Sequence, residues 1–178
     1  MPRLCAVLAR LLLLSLLAYV GAPFAAPDRS AAVKAVAVYK FSQFTTWPKP
    51  LPEGSAPSLC GIGREAIATQ VRAIDECDGG KAGGYLQVLE VPALDECRMA
   101  YVAKSEQARW PALFADLHRR QILTAADAGD ALTDTGAVIS LATEEGRVVF
   151  GIHHQRARDA QLLISAKVMR VAKQVFGK

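Results

Sequence analysis

The chain has 178 residues, 21 Lys+Arg against 17 Asp+Glu, and a formal charge of +4. Its length suits one domain of ordinary size and falls short of two. Hydrophobic residues at 52% exclude a disordered chain, and scattered Lys and Arg with only 7% aromatics exclude the basic stripe and stacking platforms of a nucleic-acid binder.

The amino terminus reads as an export signal. Met1-Pro2-Arg3 and Arg10 supply basic charge, and Leu11 to Val20 (LLLLSLLAYV) is apolar with a single serine. The uncharged stretch ends at Ala26, short of the roughly 20 residues that span a bilayer. Residues 1–26 are therefore predicted to be a signal peptide, with a retained anchor as the alternative; Val20-Gly21-Ala22, followed by an unfavourable Pro23, and the region of Ala25 and Ala26 are both cleavage candidates. Cys5 precedes the apolar run and is not placed as a lipoprotein cysteine. Loss of Arg3 and Arg10 leaves 19 basic against 17 acidic groups, so electrostatic steering plays little part in the mature chain.

Residues 27–178 are predicted to form one α/β domain. Ser30 to Trp47 (SAAVKAVAVYKFSQFTTW) reads as a helix ended by Pro48. Val33, Phe41 and Phe44 fall on one side of it, Val36, Tyr39 and Trp47 on another, and Lys40 between. Two apolar faces mean either a helix sandwiched within its own domain or one whose second face meets another chain. Lys49 to Pro57 is a proline-rich connector. Leu59 to Gly63 is a short strand, and Arg64 to Cys77 a one-faced helix through Ile67, Val71 and Ile74, ended by Asp78-Gly79-Gly80. Tyr85 to Val91 and Cys97 to Ala103 are strands. Trp110, Leu113, Phe114 and Leu117 stripe a helix with Pro111 in its first turn. Gln121 to Thr124 and Ala137 to Ala142 are strands. Glu144-Glu145-Gly146 turns the chain into a hairpin partner, Arg147 to Ile152. Ser165 is placed to cap a final helix with Val168, Val171, Ala172 and Val175 on one face. Strands alternating with helices predict a mostly parallel sheet with helices on both faces and a C-terminal antiparallel hairpin.

Cys60, Cys77 and Cys97 remain after export, and three pairings are open. Cys60 and Cys97 each begin a parallel strand, and such strands can be neighbours, which favours Cys60–Cys97 and leaves Cys77 over.

No catalytic arrangement emerges. Gly61 to Ala66 (GIGREA) matches G-x-G-x-x-A, with Glu90 at the end of the next strand. The strand before Gly61 is too short for a dinucleotide fold, so these glycines are expected within the strand and its turn. His153 and His154 are adjacent, so their side chains diverge and suit a polar turn better than a shared metal. His118, beside Arg119 and Arg120, is expected on a solvated helix face. Asp127, Asp130, Glu144 and Glu145 are expected in solvated turns. No cofactor is implied.

Together the pieces resemble the YfiR-like periplasmic proteins, from about Ala32 to Val175. The similarity is carried by AVKAVAVYKFSQFTTWP with Trp47 and Pro48, by Leu59-Cys60-Gly61-Ile62-Gly63, and by the Cys-led strand Cys97 to Val102. It continues through Gln121 to Thr124, the hairpin Gly136 to Leu141 with Gly146 to Phe150, and Ile164 to Val168. The resemblance implies a non-enzymatic repressor of an inner-membrane diguanylate cyclase, acting on the cyclase's periplasmic domain and controlling cyclic-di-GMP and biofilm. It also implies a homodimer, possible release by an outer-membrane lipoprotein, and a Cys60–Cys97 disulfide. A sensor kinase is the other partner class. The sequence departs from the family in lacking a second cysteine pair around Asp127 to Ile139. It also has Gly151 and His153 where many members carry an acid and an asparagine. Apolar exposure places the partner contact at Tyr39, Trp47, Phe150, Ile152 and Met169, with core packing as the alternative for each. A periplasmic small-ligand sensor is the main rival, and a hydrolase or metal enzyme using His153 or His154 the second.

Overall fold

The computed structural model describes residues 29–51, 53, 57–63, 67, 70, 87–89, 94 and 97–177. The predicted signal peptide, Cys5, Cys77, Asp78 to Gly80, Glu90 and most of the predicted helix 64–77 lie outside the described residues.

Helix α1 (Arg29–Gln43) leads into the two-residue strand β1 (Thr45–Thr46). The sequence predicts this helix through Trp47, but it stops earlier because local hydroxyls take its last carbonyls. Ser42 Oγ donates to Tyr39 O (2.6 Å) and Thr45 Oγ1 to Phe41 O (2.8 Å). The β-branched Thr45-Thr46 pair then continues as extended chain.

A seven-stranded sheet follows, built from β2 (Ser58–Ile62), β3 (Gln87–Leu89), β4 (Met99–Val102), β5 (Leu123–Gly129), β6 (Ile139–Glu144), β7 (Arg147–His153) and β9 (Gln174–Phe176). Its spatial order is β3-β2-β4-β5-β6-β7-β9. Every pairing is parallel except the β6–β7 hairpin, which turns at Glu145-Gly146. Helix α2 (Trp110–Arg119) connects β4 to β5 after a 3-10 turn. Between β7 and β9 lie α3 (His154–Asp159), β8 (Leu163–Ile164) and α4 (Ala166–Val171). Strand β8 pairs antiparallel with β1 and so ties the carboxyl-terminal crossover to the end of α1.

Alternation along the strands divides the interior in two. Leu59, Met99, Tyr101, Leu123, Ala125, Ile139, Leu141 and Ile152 face α1 in one cluster, and Ile67 joins them there. Cys60, Ala100, Val102 and Ala126 face Trp110, Phe114 and Leu117 of α2 in the other. The predicted architecture, helices on both faces of a mostly parallel sheet with an antiparallel hairpin, is the observed one.

Cys60 and Cys97 form a disulfide with Cα atoms 5.9 Å apart. Gly61 lies within β2 and Gly63 turns the chain after it at φ +104°, as expected of glycines that serve a strand end.

Three expectations are corrected. Val175 is not on a closing helix: α4 ends at Val171, Ala172 is extended, and Lys173 N donates to Phe150 O (2.9 Å), which starts β9 along the free edge of β7. A six-residue helix rich in β-branched valines gains more from that ladder than from another turn. Asp127 is not in a solvated turn but on β5, in an ion pair with Lys34 of α1 at 2.6 Å, both side chains largely buried. His118 does not face solvent. It stacks on Phe114 and its Nε2 lies 3.0 Å from Thr124 Oγ1, and burial first, then the nearby Arg156 and His153, hold it below the usual histidine range.

Candidate protein-interaction surface

Helix α1 has one inner face and one outer stripe. Ala35, Val38, Tyr39 and Phe41 turn inward. The Lys34–Asp127 pair, and Ser30 Oγ against Thr143 Oγ1 at 2.7 Å, fix the helix to the ends of β5 and β6. Val33, Val36, Ala37, Lys40 and Phe44 follow one another at helical spacing along the outside. Val33 (51% exposed), Val36 (43%) and Phe44 (39%) remain open to solvent, an unusual placement for large apolar side chains on a packed helix.

Across from this stripe stands α4, with Val171 71% exposed. Between the two helices runs a shallow apolar groove lined by Ala37, Lys40, Phe41, Phe44, Phe150, Val168 and Val171. Its floor is the edge-to-face pair Phe41–Phe150, ring centroids 5.0 Å apart, which joins α1 to β7. Ser165 caps α4, its Oγ accepting from Lys167 N, and Ser165 N donates to Phe44 O (2.9 Å), which sets the groove's width at one end. α1 contributes Arg29, Lys34 and Lys40, α4 contributes Lys167 and Arg170, and neither helix carries an acidic residue. Lys34 is buried in its pair with Asp127, so Lys40 is the charged side chain among those lining the groove, which is otherwise apolar.

The sequence places partner contact at five residues, and the structure separates them. Tyr39 and Ile152 have no exposed surface and pack in the α1-side core, so they have no area to offer a second chain. Trp47 is also core: its ring is buried and its Nε1 donates to Arg98 O (3.0 Å). For these three the core-packing alternative holds. Phe150 and Met169 are partly buried against the same core, and Phe150 lines the groove. Val36 and Tyr39 are neighbours on the helix surface, about 60° apart, and the edge of the buried face runs between them: Tyr39 is inside it and Val36 outside. The exposed residues that helical spacing alone underweighted are Val33, Val36 and Val171, and the absence of any acid from α1 was the available signal.

His118 and His153 serve local structure. His153 is the N-cap of α3, its Nδ1 accepting from Arg156 N (3.3 Å). Its Nε2 lies 3.8 Å from Asp134 Oδ2, and Asp134 is held by the Arg156 guanidinium and by Gly136 N. Burial raises the Asp134 carboxyl, but Arg156 and the Gly136 N–H outweigh it and hold the group below the ordinary carboxylate range. Burial and then Arg156 lower His153. Among the described residues no three His, Cys, Asp or Glu side chains converge as a metal cage, and no helix is long and apolar enough to cross a membrane.

The family model described as YfiR/HmsC-like matches residues 31–173. No curated protein matches the chain. Among solved structures, a conserved domain protein from Vibrio cholerae O1 biovar El Tor is similar in fold, with TM-score 0.53 and 12% identity over 82% of this chain. A Streptococcus pneumonia ABC domain in complex with L-Trp aligns with TM-score 0.54 and 13% identity over 80%. This chain spans 60% of the length of each, and at these identities the likeness is one of fold.

Proposed function

The chain belongs to the YfiR/HmsC-like family, whose members are periplasmic, non-catalytic regulators of diguanylate cyclase signalling, and from that premise we propose that it represses an inner-membrane cyclase by direct contact. Residues 1–26 direct export, and the mature domain, as a homodimer, engages the periplasmic part of its partner. An outer-membrane lipoprotein that competes for the repressor relieves the inhibition and favours biofilm.

The observation that carries this reading is the apolar groove between α1 and α4, with Lys40 in its wall. It fits a partner segment that presents apolar side chains with a carboxylate within reach of Lys40. Repression requires only that the inactive partner bind better than the active one. Moving an equilibrium from 1:99 to 99:1 takes about 5.5 kcal/mol of differential affinity, within reach of a few desolvated apolar anchors.

Val171→Glu tests it. The side chain is 71% exposed, so the fold is retained, while a carboxylate enters a groove that must close against apolar and acidic groups. Cyclic-di-GMP in cells carrying the variant rises to the level of a deletion strain. Unchanged repression with normal expression removes the groove from the mechanism. A second reading, a periplasmic small-ligand sensor, is favoured by the three phenylalanines of the groove and by the fold relative solved with L-Trp. Thermal shift with a panel of aromatic amino acids separates the two readings.

A further inference from the structure

The carboxyl-terminal strand is held by an unusually tight contact. β9 lies along the outer edge of β7 with Gly151, Ile152 and His153 opposite Gln174, Val175 and Phe176. The Phe176 ring stacks on His153, centroids 6.4 Å apart. Gly177 passes over the same imidazole at φ +63°, so close that a Cβ there would sit 2.4 Å from His153 Cε1. The ring cannot turn without moving the strand above it.

The other side of that ring is held by a bond that depends on its protonation. Nδ1 accepts the Arg156 N–H, which places the neutral ring's proton on Nε2, toward Asp134. A proton added at Nδ1 converts the acceptor into a donor facing another donor, and the α3 cap is lost. The charged groups around the ring do not compensate. Arg156 is cationic and already engages Asp134, His118 on the α2 side is a second basic group within electrostatic reach, and Asp159 of α3 is the remaining acid.

We propose that His153 is a pH-sensitive latch for the carboxyl-terminal strand, holding β9 on the sheet when neutral and releasing it when protonated. Release bares the backbone edge of β7 beside Phe150, a surface to which an extended segment of another chain can add. The direction follows from burial and Arg156 lowering the folded histidine. The closed latch is at full strength above the free-histidine value of about 6.5 and weakens as pH falls through and below it. With one proton linked to opening, the ratio of open to closed rises by up to about thirtyfold between pH 7.5 and 5.0.

Hydrogen exchange on the mature protein, corrected for intrinsic rates, reads this directly. Protection at residues 174–177 falls at least about fivefold between pH 7.5 and 5.0, within the linkage limit for one proton, while β5 and β6 amides hold theirs. His153→Asn, which caps α3 without titrating, keeps the tail equally protected at both values. Should that variant fail to dock the tail at all, NMR titration of the wild-type His153 ring against the Phe176 amide decides, because a latch requires a shared midpoint below 6.5. Tail protection independent of pH overturns the proposal. So does an equal loss in β5 and β6, or a pH response that survives in the asparagine variant.

Discussion

The disulfide offers the most quantitative test of how this domain is held together. Cys60 and Cys97 are 37 residues apart in sequence and both buried against α2. Closing a loop of that length removes about 4 kcal/mol of conformational freedom from the unfolded chain in the chain-entropy account. At a urea slope of about 2 kcal/mol per molar for a domain of this size, breaking the bond lowers the unfolding midpoint by about 2 M. Because the sulfurs are inaccessible in the folded protein, the bond is best reduced under denaturing conditions and the chain refolded with reductant present. The free thiols then still fill the α2-side cluster, so the shift reports the cross-link alone. Cys60→Ala with Cys97→Ala adds a packing loss of about 1 kcal/mol per site. A reduced protein whose midpoint lies within about 0.5 M of the oxidised one would refute the reasoning and show that the unfolded loop is already compact.

Two further outcomes follow from the way α1 is seated. Lys34→Met alone strands the Asp127 carboxylate under the helix and costs about 3–5 kcal/mol, whereas Lys34→Met with Asp127→Leu restores most of it; urea denaturation of the three proteins checks this. Tyr39→Asp places a carboxylate in the core and lowers stability by at least about 3 kcal/mol, so circular dichroism shows an unfolded or strongly destabilised chain, while Val36→Asp on the outer stripe stays folded. A stable Tyr39→Asp protein would mean that α1 is not seated as described.

Much of the fold was legible because burial imposes simple periodicity. The α2 stripe of Trp110, Leu113, Phe114 and Leu117, the hairpin through Gly146, and the five parallel strands β2 to β6 all follow from patterns of spacing two or three to four. Adjacency of β2 and β4 is also what brought Cys60 near Cys97. What escaped was decided by tertiary contact. Strand β5 runs on through Ala125, Ala126 and Asp127, residues with weak strand preference, because it lies between β4 and β6 and its acid finds Lys34. Val175 fits a helical stripe as well as a strand, and the unpaired edge of β7 settled it. On α1 the exposed stripe takes Val33 and Phe44 from one of the two apolar faces read in the sequence and Val36 from the other, a division that depends on where the sheet lies.

Gly151 sets what the edge of β7 can accept. A Cβ at that position would lie 2.5 Å from the Phe176 ring, so any larger residue there forces that ring to shift from its place on β9. Glycine at 151 and phenylalanine at 176 thus form a matched set in this chain, each leaving the room the other takes.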